Sequence, residues 1–430
     1  MATLTADAGA SLNQASSEER CAPAEITAFG WITIVSGGVL LLVVAAIAKA
    51  ASVAGSEDSL ERFWHAFLFG TTYAASLSLG GLFFVIAHHL TGGRWATSLR
   101  RLAEIVAGAM PYAALLFLPI LGNLVLTDSG SLYKWDNPAI VAGDAVLEHK
   151  AGYLNDKWFV IRNGIYLTIF VFLASVFVGG SVKQDRSGSV ASLRRLSRLS
   201  GPAMLVFGLA LNFAAFDWLM SLAPHWFSTI FGVYFFAGSI IAFLALLLLL
   251  AIGLQQLGVL TESITTDNLH DASKLMYAMI VFWGYIAFSQ FLLIWYANVP
   301  EETEWYFDRQ GDQATYFGIP WSLGALFVLH LFVPFLGFMS RAVRRNKAAM
   351  VFWASYMLVV HALDLAFIVL PGGAGYEGYS IFGMIGFYEI ACLVGALAVV
   401  AGAVLRGAED KWLLPLRDPR LQQAMTYHNH

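Results

Sequence analysis

Charged residues are scarce in this sequence. Only 13% of its 430 residues are Asp, Glu, Lys or Arg, whereas 58% are hydrophobic and the mean hydropathy is +0.66. Soluble domains carry about 25% charged residues, so this composition excludes an ordinary soluble enzyme. The net charge of −4 and the absence of a basic stripe argue against nucleic-acid binding. The length allows many spans and therefore predicts an all-α polytopic membrane protein.

Cysteine is also rare, and the two positions exclude several kinds of site. Cys21 lies in a polar N-terminal segment and Cys392 in an apolar run. Two isolated thiols supply neither a disulfide framework nor a metal site, and no Cys-x-x-Cys-His motif for covalent haem is present. We therefore expect no metal and no cofactor bound by this chain. No basic region adjoins the first apolar run, so we expect no cleaved signal peptide.

Long apolar runs make up most of the chain. A hydrocarbon core about 30 Å thick requires roughly 20 apolar residues per helix. This criterion predicts ten membrane spans, with Pro111 and Pro119 interrupting the third. The predicted spans are 28–48, 63–90, 102–126, 158–180, 199–223, 227–253, 274–297, 315–339, 349–370 and 381–405.

Lysine and arginine are distributed unequally between the two sides of these predicted spans. Eighteen lie on the side of the N-terminus and seven on the opposite side. Because cytoplasmic loops carry an excess of positive charge, both termini are predicted to be cytoplasmic. An even number of spans agrees with this orientation.

Spans two to five and six to nine share four short motifs in the same order. Residues 64–70 and 226–232 both read W-x4-F-G, and Asp217 and Asp364 each precede a proline by seven positions. These matches predict two four-helix bundles related by a parallel repeat, with the first and tenth helices peripheral to them. The predicted divisions are a polar cytoplasmic segment 1–27, the first helix and loop 28–62, the bundles 63–223 and 224–371, the tenth helix with its preceding loop 372–405, and a cytoplasmic tail 406–430.

Ionisable side chains inside the predicted spans are the candidate functional residues. A charge at the bilayer centre costs about 2.5–3.5 kcal/mol on insertion scales, and an interhelical hydrogen bond offsets only about 0.6 kcal/mol on average. We therefore predict a proton path; its five candidates are Asp217, Asp364, His361, Glu389 and Glu104. The alternative role of these groups is hydrogen bonding between helices. A haem held by His330 and His361 is a competing interpretation, which the lack of a second such pair disfavours.

The acidic loop 298–313 lies on the side opposite the termini. It carries Glu301, Glu302, Glu304, Asp308 and Asp312 with the single cation Arg309. One interpretation is a solvated loop that Trp305 and Tyr306 anchor at the membrane interface. The other is a docking surface for an extracytoplasmic partner.

Two long stretches resemble a known family of membrane subunits. They are FDWLMSLAPHWFSTIFGVYFFAG (216–238) and HDASKLMYAMIVFWGYIAFSQFLLIWYANVPEETEWYF (270–307). Both are similar to the ActF-type subunits of Alternative Complex III, a bacterial quinol:cytochrome c oxidoreductase, within the NrfD/PsrC-like family. The resemblance extends from about residue 28 to residue 415 and implies ten helices with two four-helix bundles.

The resemblance implies partners and cofactors outside this chain. A sister NrfD-like (ActC-like) subunit would pack beside it in the bacterial inner (cytoplasmic) membrane, surrounded by lipid. A periplasmic iron–sulfur subunit and haem c subunits would lie on the outer face, and quinol or menaquinol would be oxidised nearby. The HAGT-like and TGRPW-like motifs of the sister subunit's quinol site are absent; residues 64–76 and 119–126 occupy their places. The resemblance therefore implies a scaffold with a proton path.

Two other functions stay open at the level of the sequence. A direct quinol-binding subunit would use His65, His225 and Gln290 near the periplasmic face, with Asp217 as a proton acceptor. An autonomous proton-coupled transporter would use Asp217 and Asp364 as a pair. No residue is predicted to be catalytic, and we expect an accessory subunit of a quinol:cytochrome c oxidoreductase.

Overall fold

The computed structural model is helical throughout the part of the chain that it describes. It describes residues 23–56, 58–127, 130–309, 321–373, 376, 381–409 and 411–428. Within these ranges there is no strand, and nine helices are long and apolar enough to cross a membrane. The prediction of an all-α, multi-pass membrane protein is therefore confirmed.

Ten apolar helices, labelled α1 to α10, form the body of the protein. They are α1 Gly30–Val53, α2 Asp58–Thr91, α3 Thr97–Thr127, α4 Asp156–Ser187, α5 Val190–Trp218, α6 Phe231–Gln256, α7 Thr266–Ala297, α8 Ser322–Gly337, α9 Lys347–Val369 and α10 Phe387–Ala408. Helix α8 is shorter than a full span. Residues 315–320, which open the predicted eighth span, lie outside the described residues, so the count of ten spans stays a prediction.

Shorter helices occupy the segments between and beyond the ten. They are Ala24–Ala28, Lys134–Asp136, Pro138–Val141, Ala145–Lys150, Met220–Leu222, Pro300–Phe307, Val343–Arg345, Leu370–Gly372, Ile381–Met384 and Leu421–Met425. Two of them, Met220–Leu222 and Leu370–Gly372, follow α5 and α9 at corresponding positions of the predicted repeat. The Asp217 and Asp364 motifs therefore end in the same way, with a short 3₁₀ turn.

Polar side chains at the helix ends explain several of these boundaries. The side chain of Asn155 accepts a hydrogen bond from the Trp158 amide (3.0 Å) where α4 begins, and Gly188 ends that helix in a left-handed conformation. At the start of α7, Thr265 and Asn268 form a capping box. Such caps satisfy amides that have no partner inside the helix, so the local sequence fixes where these helices begin.

Two of the apolar helices are interrupted. Helix α3 consists of Thr97–Ala107 and Met110–Thr127, with the break just before Pro111. Proline has no amide hydrogen to continue the ladder, which explains the break. Helix α8 contains a π-helical turn, Val328–Phe332, with His330 at its centre. Such turns are rare and occur frequently at functional sites.

The helices pack in chain order. Helices α2, α3, α4 and α5 contact each other in sequence, and α5 returns to contact α2; we refer to α2–α5 as the first group. Helices α6, α7, α8 and α9 do the same and form the second group. Helices α1 and α10 pack against each other and against α2. The two groups meet where α2 and α6 cross, and these two helices are the most deeply buried of the spans in the described residues.

A close approach of α2 and α6 depends on the lack of a side chain at Gly80. A Cβ atom there would lie 2.6 Å from the carbonyl oxygen of Ser239 and would overlap the Cβ of Phe243. Small residues at such crossings allow helix backbones to pack closely in membranes. Gly80 therefore sets the spacing between the two groups.

We expect Gly80→Ala to destabilise the protein by about 1–3 kcal/mol, because the added methyl forces the two central helices apart. Thermal unfolding of the detergent-purified protein measures this loss. Gly122→Ala on α3 is the matched control, because a Cβ atom there meets nothing within 4 Å. Equal stability of the two variants would contradict the assigned role of Gly80.

Candidate functional site

Two titratable residues of α9 face the middle of the second group. His361 and Asp364 are one helical turn apart and are 1% and 2% exposed. Both pack against Gly238 of α6, where a Cβ atom would lie 3.1 Å from His361 Nδ1 and 3.4 Å from Asp364 Oδ2. The missing side chain at Gly238 thus leaves room for an imidazole and a carboxyl group side by side.

Asp364 has only neutral hydrogen-bond donors. The hydroxyl of Tyr234 on α6 donates to Oδ1, and the indole of Trp283 on α7 donates to Oδ2 at 3.2 Å. Neither donor carries a charge that would balance an ionised carboxylate. Asp364 is therefore a buried acid that two hydrogen bonds orient and that no lysine or arginine pairs within the described part of the chain.

His361 is held in one tautomer by a serine of α2. Its Nε2 lies 3.0 Å from the Ser76 hydroxyl, and that hydroxyl donates to the Tyr73 carbonyl oxygen at 2.7 Å. Because the serine hydrogen is used in the second bond, the hydrogen between serine and imidazole belongs to Nε2 of His361. Its Nδ1 then carries a lone pair without a hydrogen-bond partner, on the side facing Gly238 and Asp364.

His330 completes the cluster from the π-helical turn of α8. Its ring stacks on Trp283 at a centroid distance of 3.7 Å, and its Nδ1 lies 3.9 Å from Asp364 Oδ2, beyond hydrogen-bond range. Both of its ring nitrogens lack a hydrogen-bond partner. We call His330, His361 and Asp364 the buried acid–imidazole cluster. The His361 Nε2 is thus engaged by Ser76, and one face of the His330 ring is covered by the indole of Trp283.

The other predicted aspartate, Asp217 on α5, has a different environment. It is fully buried and forms a two-bond ion pair with Arg162 of α4, at 2.8 Å to Nε and 3.1 Å to Nη2. The guanidinium also lies 3.8 Å above the ring of Tyr153. A charge-assisted bidentate pair of this kind fixes the orientation of the carboxylate.

Glu389 is likewise ion-paired and also caps a helix. Arg62 donates to both of its carboxylate oxygens, at 3.0 and 3.3 Å, and the Tyr376 hydroxyl donates at 2.6 Å. The backbone amide of Gly386 donates to it at 2.7 Å, where α10 begins. Glu389 therefore lies at the first turn of α10 and joins that helix to α2.

Glu104 lies between two arginines of its own helix. Arg100 Nε is 3.0 Å and Arg101 Nη1 is 2.7 Å from its carboxylate oxygens, and all three side chains are at most 2% exposed. Arg101 also pairs with Asp185 of α4. Of the five residues predicted for a proton path, three are thus in ion pairs with arginine, and the structure brings only His361 and Asp364 together.

The three candidates for quinol binding lie in separate environments. His65 is buried, with Nδ1 3.0 Å from the Glu61 carbonyl oxygen. His225 is half exposed and lies 2.5 Å from Asp144. Hydrogen bonds from the Leu147 amide and from His225 hold the pKa of Asp144 below its ordinary value.

Gln290, the third candidate, has both ends of its amide engaged. It accepts from Ser228 at 2.8 Å and donates to the Tyr306 hydroxyl at 3.4 Å. A groove of about 650 Å³ runs between α7 and α8 beside it, lined by aliphatic and aromatic side chains and by Tyr285. The lining of this groove includes none of the three quinol candidates.

The interiors of the two groups differ in chemistry. Between α3, α4 and α5 the space is filled by aromatic rings: Phe117 stacks on Trp218 at 4.2 Å, and Trp218 donates to Asn163 at 2.5 Å. The Tyr133 hydroxyl donates to the Trp218 carbonyl oxygen and closes the outer end. The second group differs in that it buries the carboxyl group of Asp364 against the neutral donors Tyr234 and Trp283.

The acidic segment Pro300–Phe307 forms an eight-residue helix. Trp305 and Tyr306, predicted to be membrane-interface anchors, are instead buried in the protein, and Trp305 stacks on Trp226 at 4.3 Å. The guanidinium of Arg309 lies 3.6 Å above the Trp305 ring and donates to backbone carbonyls at the end of α9. Glu301, Glu304 and Asp308 remain exposed on the opposite side. Asp312 lies outside the described residues.

Arg162 and Arg62 were overlooked as site residues in the sequence. Arg162 falls inside the predicted fourth span, 158–180, and Arg62 directly precedes the second, 63–90. An arginine at these positions was a signal that a buried carboxylate needed a partner. No comparable feature of the sequence indicates that the Tyr234 hydroxyl contacts Asp364.

Comparisons with known proteins do not place the chain in a family. No family model matches the sequence, and no curated protein matches it.

Removing the guanidinium of Arg162 is expected to destabilise the fold, since it leaves Asp217 buried without its cation. For Arg162→Gln we expect a loss of up to about 3–5 kcal/mol, reduced because the Arg162 side chain is partly exposed. The double variant Arg162→Gln/Asp217→Asn should recover part of this loss, as measured by thermal unfolding in detergent. Arg198→Gln at an exposed position of α5 is the control. Strictly additive losses in the double variant would contradict the pairing.

Proposed function

We propose that this chain is an integral membrane subunit of a quinol-oxidising electron-transfer complex of the Alternative Complex III type. In this proposal it supports the quinol-oxidising sister subunit and provides a proton path through its second group of helices. The observation that carries the proposal is Asp364, a carboxyl group at membrane depth with two buried imidazoles beside it and no cation partner.

The chemistry of the buried acid–imidazole cluster supports proton transfer. A relay needs groups that gain and lose a hydrogen ion, and an ionisable residue inside a membrane is a functional candidate by default. His361 offers an unprotonated Nδ1 on the side of Asp364, and His330 offers two nitrogens without partners. Asp217, Glu389 and Glu104 fit a structural role better, because ion pairs with arginine hold their carboxylates in place.

The resemblance of residues 216–238 and 270–307 to the ActF-type subunits supplies the rest of the proposal. It includes ten spans in two parallel-related four-helix bundles, both termini in the cytoplasm, and the bacterial inner membrane. The proposed partners are an ActC-like sister subunit, a periplasmic iron–sulfur subunit and haem c subunits. These partners would carry the redox cofactors, with quinol or menaquinol oxidised next to this chain.

The acidic helix fits the docking of an extracytoplasmic partner. The stacking of Trp305 on Trp226 and the contacts of Arg309 fix the helix against α9, so Glu301 and Glu304 are presented at constant positions. Complementary charge guides association and sets its register. A basic surface on a periplasmic subunit is the partner that this arrangement suits.

We expect Asp364→Asn to lower proton translocation by roughly tenfold or more while quinol oxidation continues, because the amide cannot exchange a proton. The measurement is proton release by the intact complex in vesicles, together with quinol turnover. Asp217→Asn is the matched control and should leave proton release per turnover unchanged in the assembled complex. Unchanged proton release in Asp364→Asn would refute the proposed path.

The same variants separate the two other functions. Loss of quinol oxidation with normal assembly would favour direct quinol binding by this chain. Proton-coupled transport by the purified chain alone in vesicles would favour an autonomous transporter.

Charge reversal on the acidic helix is expected to weaken the partner complex. Glu301→Lys/Glu304→Lys should reduce co-purification of the extracytoplasmic subunits by roughly tenfold or more, because juxtaposed like charges cost several kcal/mol. Glu148→Lys, an exposed glutamate in the predicted outer loop 127–157, is the control. Full retention of the partners in the double variant would argue against docking at this helix.

A further inference from the structure

The C-terminal residues 411–428 form a strap across one end of the helices. Its contacts with the first group are specific. Asp418 accepts a hydrogen bond from Arg100 of α3 at 2.5 Å, and the Arg417 carbonyl oxygen accepts from Gln184 of α4 at 2.7 Å. The Arg417 guanidinium donates to the Arg186 carbonyl oxygen at 2.6 Å. The strap is thus attached to two helices of the first group.

The other end of the strap is attached to the second group. The side-chain amide of Asn268, in the first turn of α7, donates to the Ala424 carbonyl oxygen at 3.2 Å. Asp267 of the same turn lies 3.5 Å from the imidazole of His428. The strap therefore connects α3 and α4, which belong to the first group, with α7, which belongs to the second.

Asp418 completes a buried network of six charges. Arg100, Arg101 and Arg420 supply the cations, and Glu104, Asp185 and Asp418 supply the carboxylates. Asp418 is 3% exposed and Arg100 is fully buried. Bonds from Arg420 and the charge of Arg100 hold the pKa of Asp418 well below its ordinary value, despite its burial. The strap is the part of the chain that supplies this third carboxylate.

Two imidazoles at the end of α2 lie near the charged groups of the strap. His88 and His89 are 4% and 2% exposed, and both nitrogens of His88 and Nε2 of His89 lack a hydrogen-bond partner. The charges of Asp418 and Arg420 act on both rings. Leu413, Leu414, Leu421 and Ala424 of the strap are buried as well.

We propose that the strap is a releasable clamp, a segment that holds the two groups of helices together and can detach from them. The Asp418–Arg100 contact is its latch, the contact whose loss allows the strap to detach. Docked, it ties the ends of the two groups together and keeps water from His88 and His89. Released, it frees the two groups to move relative to each other at this end and opens the imidazoles to solvent. Only one five-residue helix, Leu421–Met425, stiffens the strap within the described residues, so its position depends on the side chains that hold it. This inference does not depend on the proposed function.

Thiol labelling of the intact protein in detergent tests the clamp. The two native cysteines are first removed by Cys21→Ser and Cys392→Ala. In this background, Ala424→Cys places a thiol on the buried side of the strap, and Gln423→Cys places one on its exposed side. With Asp418 present, the thiol at 424 should react at least about tenfold more slowly than the thiol at 423, as expected for a site that reacts only after local opening. Asp418→Asn should abolish most of this difference.

Two further variants separate the latch from general loosening. Arg406→Gln breaks the Arg406–Glu409 ion pair, which lies outside the strap, and should leave labelling at 424 unchanged. Arg420→Gln removes one partner of Asp418 without leaving Arg100 unpaired, so it should partially accelerate labelling of the thiol at 424. If Asp418→Asn does not fold, the labelling rate of Arg420→Gln tests the proposal instead. Unchanged protection at 424 in both Asp418→Asn and Arg420→Gln, or equal labelling at 423 and 424 with Asp418 present, would overturn the proposal.

Discussion

Compensation of buried carboxylate charge organises this structure. An ionised carboxylate cannot remain inside an apolar interior without a partner, because the loss of hydration is too costly. Arg162 supplies the partner of Asp217, Arg62 that of Glu389, and Arg100 and Arg101 that of Glu104. Each pair also joins separate helices or helix turns. The same contacts therefore neutralise the buried carboxylates and hold the bundle together.

Asp364 departs from this rule, and the departure gives the two groups of helices different characters. Its partners are a phenol and an indole, which orient a carboxyl group without fixing its ionisation state. In the first group the corresponding space is filled by aromatic rings around Trp218. The interior of the first group is thus packed with aromatic rings and an arginine-paired carboxylate, whereas the second holds a buried carboxyl group with neutral donors. In the proposed complex, that division matches a subunit that both holds its partners and conducts protons.

The ends of the molecule show a second consequence of the same constraint. Where helices begin and end, the backbone and the buried arginines need partners that the spans themselves do not provide. Arg309 satisfies the carbonyl oxygens at the end of α9, and the C-terminal strap brings Asp418 to Arg100. The segments between and beyond the spans are therefore part of the electrostatic structure of the helix bundle rather than simple connections.

The sequence by itself determined the helical, membrane-spanning character of the protein and most helix positions, because runs of apolar residues of a given length have few other stable conformations in a bilayer. It also predicted that Asp217, Asp364, His361, Glu389 and Glu104 lie inside the apolar helices, although it did not single out Arg162 as a partner. Only the tertiary structure decided which of these are neutralised. Arg62 and Glu389 are 327 residues apart, and Arg162 and Asp217 are 55 apart. Helical periodicity relates residues within a few turns, whereas pairing across helices depends on how the helices are packed and rotated, which no single stretch of sequence encodes.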